Sequence, residues 1–250
     1  MMLFFRSLSS EWLKTKRSAA SWLCIIGGFF IPFIVFLGFL YRKTSINATP
    51  KFIWEKHYNE LWQNMAVFLL PMGVILATSL ITQIEFKNNT WKQVHATPQS
   101  LTTVFFAKFS VILLMTLKFF IFFNIGILLS GIIPCLIFDG SMPKESIPVF
   151  AFLKGNAKFF IVCLPILAIQ YLISLQFKNF LVPVGIGLMG LIGSLIGMSW
   201  SKIFISPYVY PILMVFKLNK DYNLFVYAFV YFLIIMTAAY FLYISKKEKG

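Results

Sequence analysis

The sequence predicts an all-α, polytopic membrane protein. Six transmembrane helices are preceded by an amphipathic interfacial helix, and a re-entrant hairpin lies between helices five and six. Three observations lead there. Hydrophobic residues make up 59% of the chain and charged ones only 12%, whereas soluble domains carry about a quarter charged residues. The apolar residues collect in windows long enough to cross a bilayer, which takes about 20 residues. Polar residues collect between those windows, and mean hydropathy is +0.83.

Residues 1–17 open the chain. Phe4, Phe5, Leu8 and Trp12 recur at helical spacing, and Arg6, Ser9, Lys14, Lys16 and Arg17 take the other side. That pattern predicts a helix in the interface with a cationic polar face, with Phe5, Trp12, Lys14 and Arg17 as its contacts. Cations before an apolar run also suit a signal peptide. The run is too long for that and ends in Tyr41-Arg42-Lys43 with no small-residue cleavage site, so it is expected to be retained.

The spans are placed at 18–41, 61–84, 106–131, 159–177, 180–201 and 222–245, one domain over 1–250. Residues 42–60 read as a polar loop ending in the amphipathic WEKHYNELW, and Pro71 with Gly73 predicts a kink in the second span. Starting the third span near Phe106 anchors Lys108 at the interface and puts Lys118 near the midplane. The alternative start at Phe119 lets Lys118 snorkel but strands a very apolar segment outside. Residues 139–158, with Gly140, Pro143, Pro148 and Gly155, read as a loop. The fifth span is glycine-rich, and Gly190, Gly193 and Gly197 are expected to pack at a dimer face or pathway, Gly193 and Gly197 forming a GxxxG. Residues 203–216, broken by Pro207 and Pro211, are too short to span and read as a dipping or surface-lying hairpin.

Charge and motif content exclude several classes. The net charge of +14 suits cations flanking spans near anionic head groups better than nucleic acid. Cys24, Cys135 and Cys163 form no CxxC pair and read as reduced apolar fillers. His57 and His95 read as solvated loop residues with no partners at metal spacing, so no metal and no cofactor is expected. Neither a Walker A motif nor HExxH nor GxSxG occurs. The chain is therefore read as no enzyme and as unable to hold ATP in a P-loop. Carboxylates deep in the spans, on which ion-coupled carriers commonly rely, are absent. Lys118, Asn124 and Gln170 stay as a candidate intramembrane polar site, against the plainer reading of interhelical hydrogen-bond partners.

The longest polar interruption is EFKNNTWKQVHATP, residues 85–98. It predicts a short helix on the membrane face gripped by a partner, with Glu85, Asn89, Thr90, Trp91, Val94 and Pro98 as its contacts. The SEWLKTKRS start, the Glu85…Asn89-Thr90…Thr97-Pro98 series, Ala107-Lys108 at the third span and the proline-broken hairpin resemble ABC-2 type exporter permeases. Among those, the chain is most similar to permease subunits of lantibiotic- and bacitracin-immunity transporters. Asn89 stands where that family commonly has glycine, and Asn is tolerant of the left-handed backbone.

The resemblance implies a permease subunit moving or expelling an amphipathic substrate, such as a lantibiotic or other peptide antibiotic. It implies two copies of a separate ABC ATPase that bind the ATP, and a second permease, identical or paralogous. It also implies residence in a bacterial cytoplasmic membrane with both termini cytoplasmic. Lys and Arg divide evenly between the two sides, so the positive-inside rule does not fix orientation, although the dense N-terminal cluster favours the same answer. The alternative function is a non-transporting membrane anchor or assembly protein that docks partners.

Overall fold

A computed structural model describes residues 2–48, 53–87, 100–216 and 223–245. Among the described residues six helices are long and apolar enough to cross a membrane: Ala19–Arg42, Trp54–Ile84, Leu101–Asp139, Val149–Gln176, Leu181–Ser199 and Leu224–Ser245. The N-terminal helix Met2–Thr15 precedes them. No strand occurs among these residues, so the chain is an all-helical, multi-pass membrane protein.

Four boundaries lie well outside the expected ones, each for a local reason. The second span starts at Trp54 rather than 61, because Trp54, His57, Tyr58, Leu61 and Trp62 fall on one helical stripe and are all buried. What reads as a polar loop end is thus the first three turns of a core helix. Pro71 does not simply kink it. The turn Met65–Leu69 just before it widens to a π turn, closed by the Leu70 N–H on the Met65 carbonyl, which relieves the clash between a proline ring and the preceding turn.

The third span begins at Leu101, where the Ser100 side chain caps the helix by accepting from the Thr103 N–H. It ends at Asp139, before Gly140 at φ 62°. The fourth begins at Val149, just after Pro148. Gly155 is therefore no turn residue: a Cβ there would lie 2.5 Å from the Tyr58 hydroxyl oxygen, so the glycine lets two helices meet.

Spans two, three and four are the centre of the bundle. Their most apolar windows are 61%, 44% and 61% buried, against 17%, 22% and 22% for spans one, five and six, whose open faces meet lipid or a partner. Trp62 ties the centre together, stacked on Phe159 at 3.7 Å and edge-on to Phe123 at 4.8 Å. The first span joins through small residues: Cβ atoms on Gly28 and Gly126 would come within 3.1 Å of the Phe119 carbonyl and 2.8 Å of Pro32, respectively. Between spans five and six, Pro207–Val209 and the short helix Tyr210–Val215 fold back into the bundle and are largely buried.

The loop side away from the N-terminal helix is closed by polar contacts. Ser45 and Asn47 both donate to Asp139, the latter at 2.8 Å, and the Trp54 indole N–H donates to the Glu145 carbonyl at 3.0 Å. His57 is only 4% exposed, with Nε2 3.0 Å from Ser130 Oγ and 3.2 Å from the Ile127 carbonyl. The expectation of a solvated loop histidine is corrected: the ring sits on the buried stripe of the second span. His95 lies outside the described residues. The three cysteines are buried and unbridged.

Candidate coupling face

The side carrying the N-terminal helix also holds the end of the second span, the start of the third and the turn at Lys178-Asn179. In sequence, the stretch expected to meet a partner connects the second and third spans. Glu85 belongs by its backbone to the helix Leu70–Lys87. Asn89, Thr90, Trp91, Val94 and Pro98 lie outside the described residues, which resume at Ser100.

The N-terminal helix presents an unexpected face to the bundle. Ser7, Glu11 and Thr15, spaced by four, are 3%, 7% and 1% exposed, whereas Phe5 and Trp12 are 59% and 36% exposed. The helix therefore docks by a polar stripe and turns its aromatic residues outward, as an interfacial helix with lipid on its free side does. Arg17 is exposed and adopts the left-handed region at φ 64°, turning the chain sharply. Ser18 then caps the first span by accepting from the Ser21 N–H.

Glu11 is the residue that sequence reasoning missed. It pairs with Lys14 one turn on, and its Oε2 lies 4.0 Å from Nζ of Lys108 on the third span. Lys108, expected to anchor at the interface, is 2% exposed instead. A buried ammonium needs a counter-charge, and the N-terminal helix supplies it. One signal was available: Glu11 is the sole carboxylate before Glu55, set among cations.

Lys118 was expected near the midplane. Its Nζ donates to Ser21 Oγ at 2.6 Å, and Ser21 lies in the first turn of Ala19–Arg42. The flexible stem thus carries the charge back toward the N-terminal side, with Phe122 5.9 Å below it. Asn124 pairs reciprocally with Asn156 at 3.0 and 2.8 Å, joining spans three and four. Gln170 donates to Ser79 Oγ at 2.9 Å and to the Pro183 carbonyl at 2.8 Å, joining spans two, four and five. These three residues are held by different partners, and the structure does not bring them together into one site.

The glycines divide in the same way. Gly190 lies against Tyr208, whose ring would be 2.7 Å from a Cβ there, and Gly193 has nothing within 4 Å. Gly197 begins the closing turn Gly197–Ser199, so the GxxxG spacing runs off the end of the helix. Gly187, not singled out from the sequence, makes the close approach: a Cβ would fall 2.6 Å from Gln170 Oε1.

A cavity of about 650 Å³ opens between the first span, the end of the second and the turn between spans four and five. Ala19, Leu80, Ile84 and Phe180 form its apolar walls, and Lys14, Ser18, Gln83 and Lys178 its polar part. No group of three metal-ligating side chains occurs among the described residues.

Comparison with known proteins fits this arrangement of a docked N-terminal helix and a multi-pass bundle. No curated protein and no solved structure matches the chain. Residues 7–194 match the family model described as "ABC-2 family transporter protein", a stretch that runs from the docked helix into the fifth span. The chain therefore belongs to the ABC-2 transporter family, whose members are membrane-spanning permeases that work with an ABC ATPase.

Proposed function

We propose that the chain is the permease subunit of an ABC exporter that expels an amphipathic substrate, such as a lantibiotic or other peptide antibiotic. Two copies of a separate ATPase bind the ATP and press on residues 85–98 and on the N-terminal helix. A second permease completes the pathway, and both termini face the cytoplasm of a bacterial cell. The family match over 7–194 carries this reading.

The geometry supports it in one further respect. Residues 85–98 bridge the end of the helix Leu70–Lys87 and the Ser100 cap of the third span, so a force applied there acts on two central spans together. The N-terminal helix is fastened to the third span by Glu11 and Lys108.

The test is substitution of Glu85 or Thr90 by tryptophan in cells carrying the cognate ATPase. Loss of resistance to the peptide, with permease abundance unchanged and permease-stimulated ATP hydrolysis lost, is expected. Unchanged resistance and unchanged stimulation would sink the reading. ATP turnover indifferent to the presence of the permease would favour a docking protein instead.

A further inference from the structure

Lys118 carries an ammonium with no counter-charge among the described residues. Its polar partner there is the Ser21 hydroxyl at 2.6 Å, while the carboxylates in ion pairs, Glu11 and Glu60, meet other lysines. A neutral hydroxyl orients the charge but does not balance it. An unbalanced ammonium at the edge of hydrocarbon is costly. Trp22 marks the depth: it follows Ser21 in the first turn of the first span and is 59% exposed, and tryptophan favours the head-group level.

An apolar groove of about 480 Å³ starts beside this charge. It runs between the first and third spans, along Ile25, Phe29, Phe33 and Phe36 on one side and Gly126 and Leu129 on the other. Ile25 lies one helical turn beyond Ser21. Phe122 joins charge to groove, its ring 5.9 Å from Lys118 Nζ and 5.6 Å from the Phe29 ring. From Ile25 to Phe36 a helix rises about 16 Å, close to the half-thickness of the hydrocarbon core, about 15 Å. Ser130 is the one polar side chain in the lining, and its hydroxyl already donates to the Ile127 carbonyl. A peptide backbone laid here would leave its polar groups unpaired, whereas an acyl chain has none to pair.

We propose that an anionic phospholipid of the leaflet on the N-terminal side sits here, its phosphate on Lys118 and one acyl chain in the groove. The phosphate supplies the charge that the chain does not, and the groove selects a molecule with a hydrocarbon tail over a free anion. The lipid bridges the first and third spans, and it does so whatever the chain transports. It adds a specific seat to the general attraction of cations to an anionic leaflet.

The test places the full chain in phosphatidylcholine nanodiscs with a trace of phosphatidylglycerol or phosphatidylcholine carrying a photoreactive diazirine in one acyl chain. Labelled peptides are mapped by mass spectrometry. Labelling of residues 25–36 and 126–133 is expected, with phosphatidylglycerol ahead. Lys118→Gln should lower that preference about fivefold, the ratio that about 1 kcal/mol per cation near an anionic surface implies. Lys118→Arg keeps the charge and should keep the preference. Leu129→Trp, at an exposed wall position, fills the groove and should lower labelling of 25–36 severalfold, which decides the matter if Lys118→Gln does not fold. Lys202→Gln, after the fifth span, should change nothing. Soluble glycerol phosphate is added to a parallel sample. Equal labelling by the two lipids, no response to Lys118→Gln or to Leu129→Trp, or an equal response to Lys202→Gln would each overturn the proposal. So would displacement by equimolar glycerol phosphate, or loss of the label in a cross-linked dimer, which would give the groove to a second copy.

Discussion

Replacing Lys108 with methionine leaves the Glu11 carboxylate buried with Lys14 as its remaining described cation. The Lys108–Glu11 separation is 4.0 Å, and the two side chains are 3% and 9% exposed. At that distance two charges attract by about 4 kcal/mol in an effective dielectric of about 20, and much of this is offset by the cost of removing both from water. Removing one partner of a buried pair typically costs about 3–5 kcal/mol, because the other charge is left uncompensated. Lys14 also bonds Glu11, so the lower end, about 3 kcal/mol, is expected for Lys108→Met. Glu11→Gln together with Lys108→Met removes both charges, and the double variant should lose less than the two single variants summed. Reversible unfolding of the purified chain by SDS titration in mixed micelles reads both values. If the two single losses simply add in the double variant, the residues are not coupled and the docking argument fails. A loss below about 0.5 kcal/mol for Lys108→Met, the size of an ordinary surface change, would refute it as well.

Gly155→Ala should destabilise the chain by about 1–3 kcal/mol through overpacking, since the new Cβ meets the Tyr58 hydroxyl at 2.5 Å. Adding Tyr58→Phe should recover part of that loss in the same titration. Gly193→Ala meets nothing within 4 Å and should leave monomer stability unchanged, so any fall in cross-linked dimer yield would locate a partner at that face. Asn124→Leu breaks the reciprocal amide pair with Asn156 and should cost about 0.6–2 kcal/mol, the range for interhelical polar contacts in membranes. Lys118→Leu should improve membrane insertion by less than about 1 kcal/mol in a translocon assay. A lysine truly held at the midplane would give about 2.5–3.5.

The spans were legible in the sequence because hydropathy responds to the bilayer, and each expected window overlaps an observed helix. Their ends were less so, since 53–64 is helical with one stripe buried among polar residues, and 149–158 meets that stripe through Phe152 and Gly155 while its other side stays open. Trp54, His57 and Tyr58 alternate with charges at helical spacing, and only the facing Phe152 and Gly155 show why that stripe is buried. Lys108 illustrates the other limit. A lysine beside an apolar run reads as an anchor until the carboxylate that neutralises it, 97 positions away by number, is brought alongside. Hydropathy windows carry no information about such pairs. The polar trio Lys118, Asn124 and Gln170 shared a composition signal but no geometry, because each satisfies its own donors with the nearest neighbouring helix.

The buried pair also decides how a push on the N-terminal helix would travel. That helix is joined by covalent chain to the first span, through the exposed left-handed Arg17 and the Ser18 cap, and by charge to the third, through Glu11 and Lys108. The chain connection turns at a single residue and transmits torque poorly. The ion pair is buried and resists separation. Under the proposed function, displacement of the helix is therefore passed chiefly to the third span and the packed centre around Trp62, with the first span following through its close contacts at Gly28 and Gly126. Lys108→Met should then uncouple ATP hydrolysis from transport more strongly than substitutions at Arg17. Parallel measurement of ATP turnover and peptide resistance in the two variants distinguishes this order, and a larger defect for Arg17→Ala would reverse it.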